Sequence, residues 1–111
     1  MNSTLASAFP PAEAMLGCEG LMASLQHAHH ALVAGDSESV GGALAHAYTC
    51  AIGLYGRLDP QRTFACAHVQ GVLEECIERI DHAQRNADDA SVNAALRLFA
   101  PLQSVLGAVI D

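Results

Sequence analysis

Apolar residues recur at alternating steps of four and three through the middle of the chain: Val40, Leu44, Ala47, Ala51, Leu54 and Leu58. A helix turns once every 3.6 residues, so these steps place all six on one stripe; a strand would need them at every second position. The same period appears three more times. Leu21, Leu25, Ala28 and Leu32 form a stripe before it, and Val69, Leu73, Cys76, Ile80 and Ala83 form one after it. Val92, Ala95, Leu96, Phe99, Leu102, Leu106 and Val109 form the last. No segment alternates with strand period, and no internal repeat or low-complexity run is present. With 111 residues there is room for a single core. Four amphipathic helices joined by short links predict an all-α fold, an antiparallel four-helix bundle, as one domain over residues 1–111. A short irregular tail is expected over residues 1–10.

Local signals place the boundaries. Proline suits the first helical position, so the first helix is expected to begin near Pro11, with Glu13 in its first turn. Gly35 stops it, and Asp36 or Ser37 caps the second. Leu58-Asp59-Pro60 reads as the next start, with Asp59 as N-cap and Pro60 first in the third helix. Asn86 to Asp89 is a polar turn. The fourth helix is expected to run on to the C-terminus with a kink at Pro101.

Composition excludes several function classes. The net charge is −7 and lysine is absent, which disfavours nucleic acid and anionic lipid, since both require a basic stripe. No stretch is long and apolar enough for a membrane span, and the N-terminus lacks the pattern of a signal peptide, so a cytoplasmic location is expected. Cys18, Cys50, Cys66 and Cys76 form no C-x-x-C pair and read as reduced, mostly buried thiols. No acid pair, nucleophile–base arrangement or phosphate loop stands out, so no catalytic residue and no cofactor are expected, and the chain reads as a non-enzyme. His27, His29 and His30, with His46 and Cys50 four apart, raise the alternative of a metal-binding bundle. They carry none of the usual ligand motifs, and no metal ligand is assigned. "LAHAYTCAIGLYG" around His46 loosely resembles the phosphorylated helix of histidine phosphotransfer domains. That family places a lysine three residues after the histidine, where Thr49 stands here.

The order of landmarks as a whole resembles the flagellar export chaperone FliS family. After Pro10, "AMLGCEGLMASLQHAHHALVAGD" follows the family's first helix, with Gly20, Ala28, Ala31, Leu32 and Asp36 in register. Leu44, Ala47, Leu54, Leu58 and Asp59 occupy the family's positions on the second helix. "VLEECIERIDHAQRNAD" follows the third through Glu74, Arg79, Ile80, Ala83 and Asp88. Tyrosines of the family near Cys18, Leu73 and Glu75, and its closing tryptophan near Ile110, have no counterpart. The resemblance implies a cytoplasmic chaperone, with two partners. One is the C-terminal segment of flagellin or a related flagellar export substrate, kept from polymerising. The other is the flagellar type III export apparatus.

A client helix would lay its apolar face in a groove of the bundle. The second helix carries a further stripe, Tyr48, Ile52 and Tyr55, beside its inward one. Tyrosine offers rigid amphipathic contact area, so these three are the first candidates for the groove. Val72 and Arg79 on the third helix are candidates for its opposite wall; Arg79 matches the family's arginine. Arg79 is also placed to pair with Glu75 four residues earlier, as His82 is with Glu78 and Arg85 with Asp81.

Overall fold

The computed structural model describes the backbone of residues 11–59 and 61–103, and side chains from residue 17 onward. Four helices follow in order: α1 (Pro11–Ala34), α2 (Ser37–Gly56), α3 (Phe64–Asn86) and α4 (Asp89–Phe99). No strand occurs among the described residues. The helices form a ring, α1 packing on α2 and α4, and α3 on α2 and α4. Gly35-Asp36 and Ala87-Asp88 are the only residues between α1 and α2 and between α3 and α4, which forces antiparallel neighbours. The chain is thus the expected antiparallel four-helix bundle.

The predicted stripes build the core. Leu21, Leu25 and Ala28 of α1, the whole stripe from Val40 to Leu58, and Val69, Leu73, Cys76, Ile80 and Ala83 of α3 are buried. From α4 come Val92, Ala95 and Phe99, with Leu102 beyond its end. Leu32 and Leu96 pack against this core from partly buried positions. Cys18, which no stripe included, is fully buried in it as well. None of the four cysteines is in a disulfide, and burial pushes Cys76 up to about 12, with Glu75 adding to the shift. Glycine sets the spacing of α1 and α2. A Cβ at Gly17 would lie 3.2 Å from Leu54 Cδ2, and one at Gly20 would lie 3.2 Å from Cys50 Sγ.

The caps follow from short polar side chains. Asp36 accepts from Ser39 N (3.2 Å) and Ser39 Oγ (2.6 Å), capping α2. Asp88 accepts from Ala90 N (3.0 Å) and Ser91 Oγ (3.0 Å), capping α4. Ala87, at φ 51°, ends α3 in the left-handed conformation that glycine usually supplies there.

Two boundaries differ from expectation. α3 begins at Phe64 under Thr63, whose hydroxyl accepts from Cys66 N at 3.0 Å. Asp59 accepts from Gln61 N at 3.0 Å, closing a local turn and capping no helix. α4 ends at Phe99, and helical backbone resumes at Leu102 and Gln103, the last described residues. Pro101 has no N–H to continue the ladder, so the helix is interrupted there, where a kink was expected. The tail over residues 1–10, with Leu106 and Val109, lies outside the described residues. Among those described, no helix is long and apolar enough to cross a membrane.

Candidate functional site

Helix α2 presents two flanks beside its buried stripe. One meets α1: His46 Nδ1 is 2.6 Å from Ser24 Oγ, and the Cys50 thiol lies over Gly20. The other meets α3 and carries Tyr48, Ile52 and Tyr55. Tyr48 is 37% and Ile52 41% exposed, whereas Tyr55 is partly buried against the core. The structure thus brings these three candidates together but treats them unequally. Tyr55 is tied down, its hydroxyl donating to Glu74 Oε2 at 2.6 Å. Below it, Gln70 Nε2 donates to the carbonyls of Tyr55 (3.4 Å) and Leu58 (3.3 Å) at the end of α2, the former also accepting from Leu58 N.

The Tyr55–Glu74 bond has a measurable consequence. Accepting from the phenol, and repelling a phenolate, Glu74 holds the Tyr55 hydroxyl above the ordinary tyrosine range, with desolvation acting the same way. A raised folded-state value means that the bond's contribution to stability is present below the ordinary tyrosine range. It is lost as pH rises through the raised value. In Glu74→Gln, phenolate absorbance during an alkaline titration is expected to develop at lower pH than in the wild type. An unchanged curve would show that the bond does not form.

Between Glu38 and Arg57, α2 carries no acidic residue, lysine or arginine. Single exposed apolar side chains are common, but Tyr48 and Ile52 lie together on a surface with no charge of its own. Around them are Gly41, Gly42, Gly53 and Gly56, where an added Cβ would meet nothing within 4 Å. α2 runs unbroken through Gly41, Gly42 and Gly53 and ends at Gly56. The Thr49 hydroxyl donates to Ala45 O at 3.1 Å, which engages it within its own helix. The neighbouring surface of α3 is different in kind. Glu74, Glu78 and Asp81 stand at helical spacing on its outer side, offset in part by Arg85, which pairs with Asp81.

Val72 and Arg79 are placed elsewhere. In the turn of α3 they lie on the flank of Cys76 and His82, which face α4: Cys76 Sγ is 3.8 Å from Ala95 O, and His82 Nδ1 is 2.8 Å from Ser91 Oγ. Val72 packs partly buried against the core, and Arg79 donates to Glu75 Oε2 at 3.0 Å. Neither borders the flank with Tyr48 and Ile52. That wall is supplied by Gln70, Glu74 and the partly buried Ile77, which sequence reasoning passed over. Steps of seven from Gln70 through Ile77 to Gln84 would have marked that flank. Nor does His82 pair with Glu78. It turns to the α4 cap, with His29 Nδ1 donating to Asp89 Oδ1 at 2.8 Å from the other side.

His46 borders a shallow groove of about 390 Å³ with Gly20, Ala23, Ser24, His27 and Ala43. Its Nε2 is 3.9 Å from Cys50 Sγ, a thiol that burial raises away from the reactive thiolate form. His29 is engaged by Asp89, so the histidines of α1 and α2 are drawn to different neighbours. Among the described residues, no three histidine, cysteine or acidic side chains gather as a metal site. The chain matches no family model, and no curated protein or solved structure matches it significantly.

Proposed function

We propose that this chain is a cytoplasmic export chaperone. Its client is the C-terminal segment of flagellin or of a flagellin-like secreted protein, which it keeps from polymerising before export through the flagellar type III apparatus. The observation that carries the reading is the outer face of α2, where Tyr48 and Ile52 stand open to solvent on a helix whose inward stripe already completes the core. The in-register landmarks from Pro10 to Asp88 point to the same class of client. An amphipathic segment that assembles through its apolar side is silenced when that side is covered. A helix laid along α2 would cover it. Ordering such a segment costs free energy, so the contact extends over several turns. No chemical step is involved, and binding and release are the whole activity.

Titration calorimetry with the C-terminal peptide of flagellin from the same genome is expected to give one-to-one binding with a negative heat-capacity change, the mark of apolar burial. Absence of binding to that peptide, and to other flagellar export substrates, would overturn the assignment.

A further inference from the structure

Resting on the reading of this face as a client surface, we infer that its occupant is a single amphipathic helix that packs its backbone closely on α2 and carries lysine or arginine along the edge nearest α3. The first argument is the glycines. Gly17 and Gly20 have an internal reason, because a Cβ there would crowd Leu54 and Cys50. Gly41, Gly42, Gly53 and Gly56 have none. They line open space, and only Gly35 of the described glycines adopts positive φ. Each weakens an exposed helix relative to alanine, so the fold itself gives no account of them. Close approach of another backbone does.

The shape favours a helix over a strand. Gly41, Ala45, Thr49 and Gly53 recur every four residues, a low ridge beside the taller Tyr48 and Ile52, and the ridge of a second helix fits such a surface. An extended segment would find no backbone partner on α2, whose own ladder is complete. At the Gly41 end, a cavity of about 220 Å³ opens between Val40, Leu44, Ala83 and Gln84, with room for an apolar side chain.

Charge decides what flanks that apolar seam. Between Glu38 and Arg57 α2 contributes none, while Glu74, Glu78 and Asp81, the last paired with Arg85, border the α3 side, in a chain of net charge −7 without lysine. A cationic edge is attracted there, and an acidic one is repelled. The same argument disfavours a second copy of this chain, which would bring its own acidic α3 and the same negative charge to the contact.

The test uses two synthetic helical peptides with one leucine/alanine seam, flanked by lysine in one and glutamate in the other, followed by fluorescence anisotropy. The lysine peptide is expected to bind at least about tenfold tighter at low salt, the gap closing as added salt screens the rim. Gly53→Leu is expected to weaken it at least about tenfold with the thermal melt unchanged or raised. Equal affinity for both peptides, indifference to Gly53→Leu, or self-association abolished by that variant overturns the inference. Flagellin-peptide binding that ignores Gly53→Leu also overturns it and leaves the chaperone reading standing. Lysine-peptide binding that responds to Gly53→Leu, without flagellin binding, upholds the inference and overturns that reading.

Discussion

Replacing Phe99 by alanine is expected to destabilise the fold by about 3–5 kcal/mol, measured as a lowered midpoint in guanidinium unfolding. Phe99 is the largest of the fully buried side chains and the last residue of α4. Among the described residues α4 is the shortest helix and is interrupted at Ala100-Pro101, so its hold on α1 and α3 rests on few residues. Val92 and Ala95 are smaller, which concentrates the apolar contact at Phe99. Alanine would leave a cavity that the rigid flanks of α1 and α3 fill only in part. Phe99→Leu keeps most of the volume and is expected to lose less than about 1.5 kcal/mol. Equal losses from the two variants would mean that Phe99 acts through something other than volume.

Ile52→Asp is expected to separate binding from folding. At 41% exposure the carboxylate stays hydrated, so stability is expected to change by less than about 1 kcal/mol. Binding of the flagellin C-terminal peptide is expected to fall by at least about a hundredfold, because a covering helix would strip water from an unpaired charge. Leu44→Asp, one helical turn before Tyr48 on the buried stripe and 1% exposed, provides the contrast. It is expected to unfold the protein. A collapsed melt for Ile52→Asp would mean that the face is packed in solution. An intact melt with intact binding would move the client to another surface.

These two variants also mark where sequence reading stops. The burial of Phe99 and Leu44 follows from helical period alone, and each predicted stripe within the described residues lies in the core or against it. Asp36 capping α2 and the polar turn before Asp89 were legible for the same reason, since a cap is decided within a few residues. Asp59 was not. Asp-Pro is a helix-start signal, but Thr63 cap four residues on competes for the same role and holds the first turn of α3. The ion pairs of α3 split in the same way. Glu75–Arg79 and Asp81–Arg85 form as spacing predicts, while His82 abandons Glu78 for a cap on the neighbouring helix.

The candidate site was legible only to the level of a second apolar stripe. Tyr48, Ile52 and Tyr55 look equivalent in the sequence, yet Tyr55 bonds Glu74 and packs, while the other two stand open. Val72 and Arg79 look like neighbours of that stripe and lie on the flank toward α4. By itself, then, the sequence determined which residues form helices and which stripe of each turns inward, because period and capping act within one or two turns. Only the tertiary structure decided which flank of α2 is covered and which acids face it. Those outcomes depend on where a neighbouring helix sits around the ring, and no spacing within a single helix encodes that position.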